Sequence, residues 1–303
     1  MPTADGRLVV DEYAISYLGC GRDVLRFGAK TTGEPAGALV AADPDFDFND
    51  EAYPSPSLPS EARGRRSRDL SDLKFPVGRL PATREEGERI AAMLGVRPWL
   101  GPDVLEGRLK AECRSPRILH LATHGFFIED QKRDPNQEER ELGALGVSGR
   151  MLGPTPENPL LRSGLVLAGV NTWHATSRFH EQAEDGLLTA EDVSGLDLLA
   201  TEMVVLSACE TGLGEVRTGE GVFGLQRAFV LAGAKTLVMS LWSVPDEQTR
   251  AMMEDFYRRI LAGEPRAEAL RAAQMAIRAE HPDAFYWGAF ICQGNPGPLT
   301  RQA

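Results

Sequence analysis

Long apolar runs are missing from this 303-residue chain, and so is any surplus of positive charge. No stretch approaches the roughly 18 consecutive apolar residues that a membrane-spanning helix needs. Lys and Arg number 33 against 44 Asp and Glu, which gives a formal net charge of -11. A field of that sign repels nucleic acid and anionic membranes. We therefore expect a soluble protein that binds neither nucleic acid nor a membrane directly.

Cysteine is also scarce. Cys20, Cys113, Cys209 and Cys292 lie far apart, without the close spacing of a zinc site. This usage is typical of a reducing compartment, and no metal or cofactor is expected. The first six residues lack the basic and apolar regions of a secretory signal, so we expect a cytoplasmic protein.

Two apolar stretches end in residues that carry chemistry. Residues 204–209 form an apolar run that closes on Cys209, with glycines at 212 and 214, and residues 118–123 are followed by His124 and Gly125. Such runs predict strands buried on both faces of a parallel sheet. Ligands bind at the carboxyl edge of such sheets. We expect His124 and Cys209 to lie side by side there, as a thiol nucleophile and its base require.

Other interpretations exist for these residues. Cys209 is alternatively an inert cysteine buried in an apolar run, although its place before glycines and a helix favours a reactive thiolate. His120 and His124 have the i, i+4 spacing of zinc-binding helices, but on a strand these positions lie roughly 13 Å apart. We expect His120 to be buried and hydrogen-bonded.

Strands and helices alternate along the rest of the chain, which predicts an α/β fold with a parallel sheet covered on both faces. Residues 8–18 partly alternate and predict one or two strands of an N-terminal β extension. Further strands are expected at 37–43, 97–100, 163–169, 235–242 and 285–292, and helices at 82–94, 103–113, 221–232, 246–262 and 266–279, with another helix start near 188.

Two local patterns have specific interpretations. Thr83 followed by Glu86 fits a capping box for the helix over 82–94, which should stop at Gly95. The glycines of 219–224 match the dinucleotide fingerprint GxGxxG. Because they follow the Cys209 strand by about ten residues, we expect them to let a helix pack closely instead of holding a phosphate.

Two long loops, at about 44–82 and 129–159, interrupt the expected single domain of residues 1–303. The first holds the basic run from Arg63 to Arg68, which we interpret as a solvated mobile loop, with a processing site or an anion patch as alternatives. The second follows His124 and is expected to form a groove wall or a lid.

Six stretches together resemble the CHAT domain, a branch of the caspase-like, separase-related cysteine peptidases of clan CD. They are residues 12–17, 120–125, 204–214, 219–229, 232–246 and 286–290. The resemblance covers nearly the whole chain and implies a caspase-like three-layer sandwich around about six mostly parallel strands. It also implies a His/Cys dyad, which maps onto His124 and Cys209, where both motifs are intact.

The resemblance implies a cysteine endopeptidase that cleaves a specific protein target. Cys209 is expected to attack the peptide carbonyl with His124 as its proton carrier, and the backbone N–H groups of Gly125 and Cys209 are expected to hold the oxyanion. No third Asp or Asn can be placed from the sequence. Ser207 should project from the same strand face as Cys209 and line the pocket for the residue before the scissile bond.

Asp246 lies in a stretch similar to one in separase, where an acidic residue meets a substrate arginine. It is expected to select a basic side chain, and the alternative is that it caps the helix that starts there. With a basic-selective pocket, the run from Arg63 to Arg68 becomes a candidate self-cleavage site.

Two further classes of function stay open. A catalytically silent caspase-like interaction or scaffold domain is the main alternative, and a nucleotide-binding protein is a distant third. The resemblance implies regulation by a tetratricopeptide-repeat or other sensor module, in cis or in trans, although no repeat of about 34 residues is visible here. It also implies prokaryotic defence or regulated cell death as a setting.

Overall fold

The computed structural model describes residues 7–27, 33–49, 73–128, 158–177, 180–207 and 220–300. The strands in these ranges are β1 (Leu39–Pro44), β2 (Trp99–Gly101), β3 (Ile118–Ala122), β4 (Gly125–Phe127), β5 (Ser163–Val166), β6 (Leu187–Thr189), β7 (Met203–Leu206), β8 (Thr236–Ser240) and β9 (Phe290–Gly294). The helices are α1 (Val9–Glu12), α2 (Pro81–Leu94), α3 (Glu106–Glu112), α4 (Val170–Thr176), α5 (Ala190–Ser194), α6 (Glu220–Ala232), α7 (Asp246–Leu261), α8 (Arg266–Glu280) and α9 (Ala284–Trp287). Short 3₁₀ turns occupy Gly21–Arg26 and Pro159–Leu161.

Six strands form the central sheet in the order β2-β1-β3-β7-β8-β9. All neighbours are parallel except β9, which runs antiparallel to β8. Every residue of β3 and of β7 is buried, as expected for continuous apolar strands in the middle of a parallel sheet. The predicted mostly parallel sheet of about six strands is confirmed.

Helices cover both faces of this sheet. Val205 of β7 belongs to a core cluster with the inner faces of α2, α7 and α8. Its neighbours Val204 and Leu206 belong to a second cluster with α3, α5 and α6. Because successive side chains of a strand point to opposite faces, one strand supplies both cores. The predicted three-layer arrangement is confirmed.

A second, antiparallel sheet of three strands has the order β4-β5-β6. The strand expected at 163–169 exists as β5, but it belongs to this small sheet and not to the parallel one. β4 begins directly after His124, and the Val166 N–H donates to the His124 carbonyl at 2.9 Å. His124 therefore lies at the junction of the two sheets.

The prediction of regular N-terminal strands is wrong. Residues 9–12 form the short helix α1, and an isolated β-bridge joins Tyr17 to Gln293. Arg271 of α8 donates to the carbonyls of Val10 and Asp11, both at 2.5 Å. These tertiary hydrogen bonds outweigh the β propensity of the segment, because that propensity depends strongly on context.

The last predicted strand begins too early. Residues 284–287 form α9, and β9 starts only at Phe290. The reason is a local cap, because the Asp283 carboxylate accepts from the Phe285 N–H at 2.9 Å. Phe285, Tyr286 and Trp287, the first residues of the predicted strand, lie in this helical turn.

The start of α2 also differs from the prediction. Its N-cap is Leu80 and Pro81 is its first residue, while the Thr83 hydroxyl donates to the Leu80 carbonyl at 2.7 Å. Glu86 is 3% exposed and lies on the buried face of the helix, so no capping box forms. The end of the helix is as predicted, since Gly95 adopts the left-handed conformation at φ 67°.

Glycine permits close packing at α6. A Cβ on Gly224 would lie 3.2 Å from the Ser163 hydroxyl of β5, which confirms that this glycine lets the helix approach its neighbour. Residues 221 and 224 lie inside α6, so they form no phosphate-binding turn.

Most of the two long loops, including the run from Arg63 to Arg68, lies outside the described residues.

Within the described ranges, the helices are too short or too polar to cross a bilayer.

The packing of α2 against β1 generates a stability prediction. A Cβ on Gly87 would lie 2.5 Å from the Ala42 Cβ, so we expect Gly87→Ala to lower the free energy of unfolding by about 2 kcal/mol despite its better helix propensity. Gly37→Ala is the control, because an added Cβ there meets nothing within 4 Å. Urea unfolding of both variants measures the difference. A Gly87→Ala protein as stable as the parent would contradict the packing described here.

Candidate active site

The ends of β3 and β7 define one edge of the central sheet. The two strands pair in parallel, with Leu121 opposite Leu206, and the Ser207 N–H donates to the Leu121 carbonyl at 2.9 Å. His124 follows β3 and Ser207 follows β7. Leu121 and Leu206 are 85 residues apart in sequence but lie opposite each other in the sheet. This agrees with the prediction that the two strands are neighbours.

His124 is 5% exposed and is held by a main-chain acceptor. Its Nε2 lies 2.8 Å from the Gly78 carbonyl oxygen, and its ring packs against Phe46 at 5.4 Å between centroids. A carbonyl oxygen can only accept, so Nε2 carries the proton and Nδ1 is the basic nitrogen of the neutral ring. Burial lowers the pKa of His124, and the Gly78 contact partly offsets this effect.

The segment that carries Gly78 is itself fixed by side chains. Asn171 of α4 accepts from the Val77 N–H at 2.8 Å and donates to the Val77 carbonyl at 3.0 Å. Arg79 donates to the buried Asp43 carboxylate at the end of β1, at 2.6 Å. The N–H and the carbonyl of Val77 are therefore both hydrogen-bonded. These bonds hold the adjacent Gly78 carbonyl in place beside His124. From the sequence no Asp or Asn can be placed as a third member, and in the structure the partner of the His124 Nε2 is a main-chain carbonyl.

The backbone N–H of Gly125 points away from β5. His124 pairs with Val166 and Ile128 pairs with Arg162 through main-chain hydrogen bonds, and Gly125 lies opposite Leu165 between these positions. In an antiparallel ladder the hydrogen-bonded positions alternate, so the amide of Gly125 faces the other side of β4. β4 is an edge strand of its sheet.

Cys209 lies outside the described residues, which end at Ser207 and resume at residue 220. The three other cysteines are free thiols. Burial raises the pKa of Cys113 to about 12 and that of Cys292 to about 11, so neither forms a thiolate near neutral pH. Cys20 is exposed and lies before the 3₁₀ turn at Gly21–Arg26.

An open pocket of about 30 Å³ lies beside the two strand ends. Thr123, which precedes His124, and Ser207, which precedes Cys209 by two positions, both line it. The other lining residues come from α2 and its N-cap and from the region where α7 begins: Leu80, Ala82, Thr83, Glu86, Ser243, Val244, Asp246 and Thr249. Ser207 and Asp246, two residues selected from the sequence, therefore share one pocket.

Asp246 is the first residue of α7, and the N-cap is Pro245, which makes no side-chain capping bond. Asp246 is exposed at the pocket, so the expected alternative of a side-chain cap is not what the structure shows. Its carboxylate also lies at the positive end of the helix, where a negative charge is stabilising.

Glu86 is the residue of the pocket that sequence reasoning missed. Its Oε2 accepts from the Ser207 hydroxyl at 3.1 Å, and its Oε1 lies 3.3 Å from His120 Nε2. His120 is fully buried and its Nδ1 lies 3.1 Å from the Tyr257 hydroxyl, which confirms its predicted burial and hydrogen bonding. The overlooked signal was periodicity, because Glu86 lies in line with the apolar positions Ile90 and Leu94 of α2.

The sequence profile of the CHAT domain family matches residues 1–295. Among curated proteins, the chain is similar to tetratricopeptide repeat protein 28 of Mus musculus, with 29% identity over 261 residues, and of Homo sapiens, with 27% over 271 residues. Each alignment covers 82% of this chain and 10% of the relative, so the chain spans about one tenth of their length. Among solved structures, it is similar to the Arg-specific cysteine proteinase gingipain R, with a TM-score of 0.41 and 11% identity over 72% of this chain and 43% of that one.

The environment of His124 generates a titration prediction. We expect its pKa in the folded protein to lie below the ordinary 6.5, because burial disfavours the imidazolium. NMR titration of the ring protons, assigned with a His124→Gln variant, measures the value. The control is the same chain in urea, where the pKa should return to about 6.5. A folded value at or above the unfolded one would contradict the buried, neutral imidazole.

Proposed function

Because this chain belongs to the CHAT domain family, we propose that it is a cysteine endopeptidase that cleaves a specific protein target through His124 and Cys209. The parallel pairing of β3 with β7 is the observation that carries this proposal. It puts the end of the His124 strand beside Ser207, and Cys209 follows Ser207 by two residues. A buried imidazole with an anchored Nε2 supports the role of His124 as the base.

The proposed reaction uses the basic Nδ1 of His124. The Cys209 thiol proton passes to Nδ1 as Sγ bonds to the peptide carbonyl carbon. His124 then gives that proton to the departing amine as the C–N bond breaks, which leaves an acyl-enzyme. Water adds to the thioester carbon as His124 takes its proton. The C–S bond then breaks, the acid leaves, and His124 returns the proton to the Cys209 sulfur. The Gly78 carbonyl keeps the ring oriented throughout.

The N–H groups of Gly125 and Cys209 are proposed to stabilise the oxyanion. The direction of the Gly125 amide, away from the β4–β5 ladder, supports its part in this role. Donors that are fixed before the reaction cost no reorganisation when charge develops on the oxygen.

Specificity is proposed to come from the pocket beside the strand ends. Ser207 and Asp246 both line it, and Asp246 is proposed to attract a basic side chain at the residue before the scissile bond. A pocket of this preference makes the run from Arg63 to Arg68 a candidate self-cleavage site.

Regulation is proposed to come from outside the domain of residues 1–303. The mouse and human relatives are tetratricopeptide repeat proteins, and this chain matches only one tenth of each. A repeat module in cis or in trans is therefore the proposed sensor that controls a cytoplasmic peptidase. Its substrate is proposed to be a protein, and no cofactor is required by the thiol mechanism.

Removal of either member of the dyad tests the proposal. We expect Cys209→Ala and His124→Ala to lower kcat/KM for a peptide-library substrate by at least about 1000-fold, because the two groups act as a unit. Cys20→Ala is the matched control, since Cys20 is an exposed free thiol away from the pocket and should leave cleavage unchanged.

Thermal unfolding of all three variants checks that the fold is intact. A folded Cys209→Ala protein that still cleaves would refute the thiol mechanism. A parent chain that cleaves nothing, alone or with a repeat-module partner, would favour the scaffold function.

Asp246 provides a separate test of basic selectivity. We expect Asp246→Asn to lower kcat/KM about fivefold for peptides with a basic residue before the scissile bond, which is the modest effect of an exposed ion pair. Peptides with an apolar residue at that position should be cleaved as by the parent, and raised salt should reduce the difference. An equal loss on both peptide classes would contradict the selective role.

A further inference from the structure

Two carboxylates line the pocket beside the strand ends. Glu86 and Asp246 both line it, and none of the described lining residues is Lys, Arg or His. Glu86 lies inside the pocket at 3% exposure, whereas Asp246 is exposed. The two carboxylates are therefore arranged as an inner and an outer acid.

The hydroxyl groups of the pocket add acceptors and few donors. The hydroxyls of Thr83, Thr123 and Thr249 each donate to a main-chain carbonyl, and that of Ser207 donates to Glu86. A hydroxyl has one proton and two lone pairs, so these side chains offer only lone pairs to a ligand. These four hydroxyls therefore suit a ligand group that donates hydrogen bonds.

One oxygen of Glu86 lacks a hydrogen bond. Oε1 lies within ion-pair distance of His120 Nε2, at 3.3 Å, but the contact does not have hydrogen-bond geometry, and both atoms are buried without a hydrogen-bond partner. Leaving a buried acceptor unsatisfied costs free energy. A cationic donor that enters the pocket would remove this cost.

The small volume of the pocket favours a compact cationic group. Its volume of about 30 Å³ is room for about two water molecules. The end of a lysine side chain has two heavy atoms, Cε and Nζ, and its compact ammonium group donates three hydrogen bonds. A guanidinium group is a rigid plane of four heavy atoms and needs a wider space.

We propose that this pocket binds the ammonium group of a lysine side chain at the substrate position before the scissile bond, with Glu86 as its buried charge partner and Asp246 at the mouth. The inference deepens the proposed function and rests on it, because Thr123 and Ser207 link the pocket to the two strand ends. Glu86 is then the main determinant of specificity, and its contribution exceeds that of the exposed Asp246.

Peptides that differ only before the scissile bond test this assignment. We expect kcat/KM for lysine to exceed that for norleucine, which has the same four side-chain carbons but no ammonium group, by about 100-fold. With norleucine the buried acceptors of the site would stay unpaired. Arginine should be cleaved about tenfold less efficiently than lysine, since one misfitting group in a pocket costs about that factor. Equal rates for lysine and norleucine would overturn the proposal.

Glu86→Gln and Glu85→Gln form a matched pair of variants. Glu85 is the preceding residue of α2, half-exposed and bonded to Arg89 and Arg250, and it does not line the pocket. We expect Glu86→Gln to reduce the lysine-to-norleucine ratio to about tenfold or less, whereas Glu85→Gln should keep the parent ratio. If folded Glu86→Gln keeps the parent's lysine-to-norleucine ratio of kcat/KM, Glu86 does not determine the selectivity and the proposal is wrong.

A binding measurement tests whether the pocket binds a cation independently of peptide cleavage. In the Cys209→Ala protein, n-butylamine, which is an ammonium ion at pH 7, should shift the NMR amide signals of Thr123, Ser207 and Thr249, and n-butanol should not. The shifts should disappear in the Cys209→Ala, Glu86→Gln protein. These shifts, together with a parent protein that cleaves no peptide, would retain the cation site and refute the peptidase. Absence of shifts would overturn the site even if cleavage is observed.

Discussion

The parallel pairing of β3 with β7 is the constraint on which the candidate site depends. Both strands are buried throughout, and their register puts Leu121 opposite Leu206. A slip of one residue would turn every side chain of a strand to the other face and exchange the two cores, so the register is strongly specified. The positions of His124 and Ser207 follow from this register, because His124 comes two residues after the end of β3 and Ser207 comes directly after β7.

Polar groups around this edge divide into a satisfied set and an unsatisfied set. On one side, Asn171 and Asp43 fix the segment that presents the Gly78 carbonyl to His124. On the other side, Glu86 keeps one buried oxygen without a hydrogen bond. Hydrogen-bond networks in which every polar group has a partner make a structure rigid. A buried acceptor without a donor costs free energy unless a ligand supplies the donor. The first set is suited to orienting an imidazole, and the second to receiving a donor.

The elements with strong patterns were predictable from sequence, and those decided by single side chains were not. The central strands and the helices α6, α7 and α8 were located because apolar runs and amphipathic periodicity are local properties. The strand prediction for the N-terminal segment is wrong because Arg271, far along the chain, donates hydrogen bonds to carbonyls of that segment. Glu86 was assigned to a capping box on spacing alone, although its place on the buried stripe of α2 already indicated an inward carboxylate.

The sequence by itself determined the α/β class, the identity of the two central strands and the residues that follow them, because these depend on hydrophobic runs and glycines that act locally. Tertiary structure alone decided which groups surround them. The Gly78 carbonyl reaches His124 across 46 positions of sequence, and Glu86 reaches Ser207 across 121. Such contacts depend on how α2 and the segment before it pack against the sheet. The spacing of residues along the chain does not predict this packing geometry.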